Sequence, residues 1–188
     1  MDKQTYIIEG LLLKANLHLH SKFSDGTQWP KEIIQRALGV GLELIAITDH
    51  DTFAGVQDFL AHCQSMGMNG IAAIEIDCVA PEYDYDKEML AYFPKGVFSH
   101  TQELIDQERI KREQKMRHYL LHARAKFKRE DLTIEKFIQY LESTRPGIPL
   151  NAIPFMKPQL YDFLLAEKVT LSEFANFERS EERRVGKE

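Results

Sequence analysis

Short apolar runs alternate along the first half of the chain with segments whose apolar residues recur at helical spacing. Residues 11–17, 44–48 and 70–74 are largely apolar, which is the pattern of buried strands. Residues 30–38 and 56–63 place apolar side chains every three or four positions, which predicts two amphipathic helices. Strands that alternate with helices form a parallel sheet or a barrel, so the pattern predicts an α/β fold.

The second half of the chain is predicted to be mainly helical after one further strand at residues 88–93. Residues 99–128 have the pattern of one long polar helix. We expect its packing side to consist of Leu104, Ile105, Ile110, Met116, Leu120 and Leu121. Shorter helices near residues 133–143 and 158–167 flank a connection interrupted by prolines.

The composition is that of one globular domain with a real core, since 44% of the 188 residues are hydrophobic and 28% are charged. We expect this domain to span residues 1–178. Residues 179–188 are charged and lack apolar periodicity, so we expect a disordered tail. That tail resembles a translated cloning adapter, which would mean that it is not native and that the natural frame is cut short.

The net charge of −5 argues against general binding to nucleic acids or membrane surfaces, and no stable sequence-specific nucleic-acid complex is expected. The chain has no signal-peptide pattern and no apolar run long enough to cross a membrane, which favours a cytoplasmic protein. Cys63 and Cys78 are too few for a disulfide framework, so we expect both to be reduced.

Polar side chains follow each predicted strand of the first half. His18 and His20 follow the first strand with Asp25 in the turn beyond, His50 follows the second, and Glu75 closes the third. Histidines are common on surfaces, and an Asp before Gly often only forms a turn. Glu75 is harder to explain in this way, because an unpaired carboxylate on an apolar strand is costly. Since strand ends of a parallel sheet gather on one face, we expect these side chains to converge.

Three imidazoles and several carboxylates suit a divalent ion such as Zn²⁺, Mn²⁺ or Fe²⁺ better than an all-oxygen Ca²⁺ site. A centre with more than one ion is plausible, with Glu75 placed to bridge. Such a centre would activate water and hold phosphoryl oxygens against developing negative charge. The sequence therefore favours hydrolysis of a phosphate ester.

Three segments together resemble the PHP (polymerase and histidinol phosphatase) family in order and spacing. They are His18-x-His20-Ser21-x-x-Ser24-Asp25-Gly26, Ile47-Thr48-Asp49-His50-Asp51 and Ala73-Ile74-Glu75-Ile76. The resemblance implies a distorted, TIM-like seven-stranded β/α barrel, two or three divalent ions (Mn²⁺, Zn²⁺ or Fe²⁺, with Mg²⁺ also possible) and phosphoesterase activity. The segment from Thr48 to Gly55 is most similar to the branch that hydrolyses nucleoside phosphates or short 5′-phosphorylated oligonucleotides.

The same resemblance implies a division of the ligands. His18, His20 and Glu75 would hold one metal, Glu75 would bridge to a second, and Asp25 with His50 would hold a third. Asp49 would orient a ligand rather than bind a metal itself.

The chain also departs from the family pattern. Asn16 stands where members often have Asp, and Gln159 stands where they have a His. Glu88 occupies the region where members have a His, so it either ligates a metal through oxygen or is an ordinary surface carboxylate. The late His and Asp-x-His ligands are not found, and the resemblance covers residues 11–170. We therefore expect an incomplete barrel that is prone to self-association.

Between Arg109 and Arg129 the long helix carries many basic residues. Arg109 or Arg112 could contact a substrate phosphate, although a solvated helix face is the alternative. Three hypotheses for function follow: a phosphoesterase acting on a phosphorylated small molecule or short oligonucleotide, an inactive metal-binding remnant, and a regulatory or polymerase-associated module.

Overall fold

The computed structural model describes residues 4–8, 11–80, 85–97 and 99–169. The tail predicted at residues 179–188 lies outside these ranges. The chain divides into two compact units, residues 1–109 with 151–154 and residues 110–150 with 155–188.

A five-stranded sheet forms the first unit, with the strands in the order β1-β2-β3-β4-β5. The strands are β1 (Gln4–Ile8), β2 (Leu11–Asn16), β3 (Leu44–Ile47), β4 (Asn69–Ala80) and β5 (Tyr85–Phe93). Strands β2, β3 and β4 are parallel, whereas β1 and β5 pair antiparallel with their neighbours. The α/β prediction is confirmed, but the sheet is mixed rather than parallel.

Strand β4 continues beyond the end predicted at Glu75. Residues 72–80 pair antiparallel with residues 85–93 of β5, and this hairpin partner extends β4 to Ala80. Glu75 therefore lies in the middle of a strand, with Asp77 two positions further along the same face.

The sheet is curled. The hydroxyl group of Tyr92 on β5 donates a hydrogen bond of 2.8 Å to the carbonyl oxygen of Leu17, just beyond β2. Because β3 and β4 lie between those two strands in the sheet, this bond requires the sheet to bend towards itself. This curvature is that of part of a barrel.

Two helices of the first unit pack on the sheet, α1 (Pro30–Gly39) and α2 (Val56–Met66). Pro30 opens α1, and the backbone amide of Trp29 donates to the Glu32 side chain at 2.7 Å. Both helices contribute to one apolar cluster, which includes Ile34, Ile45, Phe59 and Cys63. Gly70 of β4 permits the close approach of α2, because a Cβ atom there would lie 2.7 Å from the Cys63 sulfur.

The remaining helices are α3 (Ser99–Phe127), α4 (Ile134–Thr144) and α5 (Lys157–Ala166), with a 3-10 turn at Leu150–Ala152. The predicted packing side of α3 is half correct. Ile105, Met116 and Leu120 are buried, whereas Leu104, Ile110 and Leu121 are 59%, 52% and 59% exposed. The stripe beyond Ile110 follows Met116, Tyr119, Leu120 and Ala123, which leaves Leu121 turned away from it.

In the second unit, Phe137 of α4 packs edge-on against Phe155 and against Phe163 of α5. Gln159, at the position of the family's His, is buried and accepts a hydrogen bond of 3.1 Å from the Met156 amide. This bond caps α5, so a structural role accounts for the Gln. None of the helices in the described ranges combines the length and apolarity that crossing a bilayer demands.

Candidate metal centre

The backbone brings the ends of β2 and β3 beside the middle of β4. His18 and His20 follow β2, and His50 follows β3. His50 and Glu75 form a parallel bridge, in which the Asp51 amide donates to the Glu75 carbonyl oxygen at 2.9 Å. The position of His50 beside Glu75 is therefore fixed by main-chain hydrogen bonds rather than by side-chain packing alone.

Glu75 lies at the centre of the three imidazoles. Its Oε2 atom is 3.0 Å from Nε2 of His18, 3.0 Å from Nε2 of His20 and 3.6 Å from Nε2 of His50. Glu75 is only 5% exposed. A buried carboxylate surrounded by three ring nitrogens is the arrangement that the sequence led us to expect around a metal.

Asp25 approaches the same group from the loop after β2. Its Oδ1 atom lies 3.3 Å from Nδ1 of His20, and its Oδ2 atom lies 3.8 Å from Nε2 of His50. Two overlapping groups result, each with ligand atoms within 4.8 Å of one another: His18, His20 and Glu75, and His20, Asp25 and His50. The structure thus brings together all five residues predicted from the sequence, while metal binding by them stays a prediction.

A third group of this kind contains His50, Asp77 and Glu88. Nδ1 of His50 lies 3.8 Å from Oε1 of Glu88, the residue for which the sequence left two roles open. Sequence reasoning did not foresee Asp77. The available signal was its spacing of two from Glu75, which places both carboxylates on one face of a strand.

Asp49 holds the loop that carries Asp25. Its buried carboxylate accepts hydrogen bonds from the Ser21 amide at 2.7 Å, from the Ser21 hydroxyl at 2.6 Å and from the Ser24 hydroxyl at 2.6 Å. Burial raises the pKa of Asp49 even though these donors oppose the shift. Gly26 completes the loop, since a Cβ atom there would lie 2.3 Å from the His20 carbonyl oxygen.

The site attracts positive charge. Burial lowers the pKa of His20, but its contact with Asp25 and the charges of the surrounding carboxylates outweigh burial and raise that pKa overall. Burial likewise raises the pKa of Asp25, but His20 and the charge of His50 outweigh it and lower that pKa overall. A proton on His20 and a divalent ion would each balance the negative charge of these carboxylates. The two would therefore compete, and metal binding should weaken as the pH falls.

The donor set fits a divalent metal. Imidazole nitrogen and carboxylate oxygen are the ligands of zinc, manganese and iron sites. The buried Nδ1 atom of His50 has no hydrogen-bond partner among the described residues, so the ring is not already committed to a structural network.

The two arginines predicted to bind substrate have different surroundings. Arg109 lines a cavity of about 220 Å³ in the first unit, together with Asp51, Thr52, Gln102 and Asp106. Its buried Nε atom has no hydrogen-bond partner in the part of the chain that is described. Arg112 lies in the second unit, where its Nη1 atom donates to the Met156 sulfur at 2.9 Å.

The PHP domain family matches residues 16–144. A 5′-3′ exoribonuclease from Haemophilus influenzae is 38% identical over 63 residues, which are 34% of this chain and 23% of that protein. A 3′,5′-nucleoside bisphosphate phosphatase from Chromobacterium violaceum is 36% identical over 65 residues, which are 35% of this chain and 23% of that protein. The matched segments are therefore less than a quarter of the length of these relatives.

Two solved structures share the fold. A Bifidobacterium adolescentis protein described as a candidate metal-dependent phosphoesterase has a TM-score of 0.69 and 24% identity, over 87% of this chain and 54% of that one. An amidohydrolase from Chromobacterium violaceum with bound sulfate has a TM-score of 0.62 and 19% identity, over the same 87% and 54%. The chain spans about half the length of these two proteins.

The family match covers more than half of the chain and includes Glu75 and the four predicted residues around it. The curled α/β sheet and the order of the polar residues agree with it. The chain belongs to the PHP domain family.

Proposed function

We propose that this protein is a metal-dependent phosphoesterase whose residues His18, His20, Asp25, His50 and Glu75 hold two or three divalent ions. The observation that carries the proposal is the position of Glu75. Its Oε2 atom lies 3.0–3.6 Å from the Nε2 atoms of all three imidazoles. A carboxylate oxygen that three imidazole nitrogens approach in this way is placed as a bridging metal ligand would be.

The ligands divide between two ends of the site. His18 and His20 with Glu75 would hold one ion, Asp25 with His50 would hold another, and Glu75 would connect them. Ions bound there would lower the pKa of water and would place positive charge beside the negatively charged phosphoryl oxygens. The manganese, zinc or iron identity of the ions is part of the proposal, since mixed nitrogen and oxygen ligands suit all three.

The burial of the ligands defines the side from which a substrate would approach. The Glu75 and His50 side chains are 7% and 8% exposed, whereas the His18 side chain is 50% exposed. Glu75 and His50 therefore form the closed side of the site and exclude water there. A phosphate ester would enter beside His18, the most accessible of the five residues.

We propose nucleoside phosphates or short 5′-phosphorylated oligonucleotides as substrates. The support is the named activities of the two relatives, an exoribonuclease and a nucleoside bisphosphate phosphatase. Arg109 would contact a second phosphate, because its buried Nε atom has no protein partner in the described ranges and lines an open cavity. The role of Arg112 in substrate binding stays a prediction from the sequence, since its Nη1 atom donates to the Met156 sulfur at 2.9 Å within the second unit.

The test combines bound metal with turnover. Purified protein, His20→Ala and Glu75→Ala would be analysed for bound metal and for hydrolysis of a nucleoside 3′,5′-bisphosphate and of a 5′-phosphorylated oligonucleotide. His62→Ala is the matched control, since His62 lies on α2 and pairs with Asp58 at 3.3 Å. We expect the control to behave as wild type and both site variants to lose metal and activity.

Full metal binding by both site variants would contradict the ligand assignment. Metal binding by wild type with no turnover on either substrate would instead support the inactive or partner-dependent alternatives.

A further inference from the structure

The two ring nitrogens of His50 face different carboxylates. Nε2 points to the proposed centre, 3.6 Å from Glu75 Oε2 and 3.8 Å from Asp25 Oδ2. Nδ1 lies on the other side of the ring, 3.8 Å from Oε1 of Glu88. His50 is 6% exposed, and the buried Nδ1 atom has no hydrogen-bond partner among the described residues. One nitrogen is thus turned towards the centre and the other towards Glu88.

A neutral imidazole binds a metal through one nitrogen and carries its proton on the other. If Nε2 of His50 binds the ion, Nδ1 becomes a buried N–H donor that needs an acceptor. Histidine ligands of metals almost always donate this second N–H to a carboxylate, a carbonyl oxygen or water, and the acceptor fixes the tautomer and the ring orientation.

Strand register brings Glu88 to this position. In the antiparallel pair of β4 and β5, Glu88 stands directly opposite Asp77. Two carboxylates at opposed positions repel each other, so a donor between them is favourable. The ligand atoms of His50, Asp77 and Glu88 lie within 4.8 Å of one another.

We propose that Glu88 is a positioning residue that accepts the Nδ1–H of His50 and so presents Nε2 to the metal centre. The proposal rests on the proposed function, because it assigns a role around one of the proposed ligands. The present separation of 3.8 Å is longer than a hydrogen bond. The Glu88 side chain is 54% exposed, so its rotamer can change at little cost, and we expect such a change to bring Oε1 within hydrogen-bond distance of Nδ1 when the metal is bound.

The competing assignment is a separate ion held by His50, Asp77 and Glu88. It would require His50 to use both nitrogens as ligands and to give up its remaining proton, so a donated Nδ1–H is the simpler chemistry. The two assignments differ in the number of ions bound, which makes them separable by experiment.

The test compares Glu88→Ala and Glu88→Gln with wild type in a Zn²⁺ titration against a chromophoric chelator. Lys87→Ala is the control, because Lys87 is the exposed neighbour of Glu88 on the opposite face of β5. We expect Glu88→Ala to weaken Zn²⁺ binding about 10- to 100-fold with the number of bound ions unchanged. Glu88→Gln should stay close to wild type, since the amide oxygen still accepts a hydrogen bond but carries no charge.

A second measurement reports the proton directly. In ¹⁵N-labelled, Zn²⁺-loaded protein, long-range ¹H–¹⁵N spectra should show a protonated Nδ1 for His50, assigned by its loss in His50→Gln. The Nδ1 proton signal should persist in Glu88→Gln and be lost through exchange with water in Glu88→Ala. Circular dichroism of each variant checks that the fold is retained.

Three results would overturn the proposal: unchanged Zn²⁺ affinity in Glu88→Ala, loss of one bound ion in that variant, or equal weakening by Ala and Gln. The second result would make Glu88 a ligand, and the third would mean that its charge matters rather than its hydrogen bond. Failure of wild type to bind Zn²⁺ would overturn the proposed function as well, whereas the three results above leave that function standing.

Discussion

The backbone amide of Asp51 donates to the carbonyl oxygen of Glu75 at 2.9 Å, and the Asp51 side chain accepts from the Asp77 amide at 3.2 Å. Asp51 thereby joins the end of β3 to β4 through both its main chain and its side chain. It does so with a φ of 45°, in the left-handed region that few residues other than Gly, Asn and Asp adopt. The two bonds offset the cost of that conformation and keep His50 beside Glu75.

Two substitutions of Asp51 should show how much its side-chain hydrogen bond and its left-handed conformation contribute to stability. Asp51→Ala removes the acceptor for the Asp77 amide and keeps an unfavourable φ, so we expect a loss of about 1–3 kcal/mol in the free energy of unfolding. Asp51→Asn keeps an acceptor and tolerates the conformation, so its loss should be much smaller. Urea denaturation measures both. Equal destabilisation by Ala and Asn would show that the carboxylate charge, rather than geometry, is what the position requires.

Asp49→Asn tests the anchor of the Asp25 loop. The carboxylate accepts three hydrogen bonds, and an amide group would turn a donor towards at least one of those three donors. We expect unfolding free energy to fall by roughly 2–4 kcal/mol and metal affinity to fall with it, because the loop no longer holds Asp25 in place. Asp58→Asn is the control, since the Asp58 side chain is 53% exposed on α2. If Asp49→Asn were as stable in urea as the wild type, other contacts would hold the loop.

Gly26 and Gly39 offer a matched pair of alanine substitutions. At Gly26 a Cβ atom would meet the His20 carbonyl oxygen at 2.3 Å, whereas at Gly39 nothing lies within 4 Å. Gly26→Ala should therefore destabilise the protein by about 2–3 kcal/mol and move His20 away from Glu75. Gly39→Ala at the end of α1 should be neutral or stabilising by up to about 1 kcal/mol. Melting temperatures of both variants test the effect on stability, and analysis of bound metal tests the effect on the site. Similar melting temperatures for the two variants would contradict the packing argument.

The His20–Asp25 contact gives the metal-free protein a characteristic pH dependence. The pKa of His20 is raised, so its contribution to stability is complete below the unfolded pKa near 6.5 and is lost as the pH rises through the folded pKa. The pKa of Asp25 is lowered, so its contribution is complete above 3.8 and is lost as the pH falls through the folded pKa. Chelator-treated protein should therefore be most stable in mildly acidic solution.

Urea midpoints measured from pH 4 to pH 9 test this expectation, with His20→Gln as the comparison. The variant should lose the decline that wild type shows on the alkaline side. A decline of the same size in both proteins would assign it to other groups.

The elements predicted most accurately are those with a local signal. Strand β3 and helices α1 and α2 follow from apolar spacing and from Pro30 at the first helical turn. The five polar residues of the candidate centre follow from their order along the chain. Strand β1 was missed. The length of β4 and the nearness of Asp77 to Glu88 depend on strand register, which a single sequence does not specify.

Three residues of α3 that were predicted to pack are exposed, for a similar reason. Leu104, Ile110 and Leu121 have the spacing of a packing stripe, but the partner that a helix meets decides which of two overlapping stripes is buried. Helical periodicity alone cannot choose between them.

The location of Glu75 in the middle of β4 makes the two walls of the candidate centre unequal in rigidity. Glu75 is hydrogen-bonded towards β3 on one side and paired with Leu90 of β5 on the other, so its amide should exchange with solvent deuterium only when the sheet opens. Asp25 sits on a loop held by side-chain bonds from two serines and can fluctuate without unfolding the sheet. Ions would then enter and leave through movements of the Asp25 loop. The Glu75 strand would stay fixed meanwhile, so the geometry of the site would be kept for the next ion that binds.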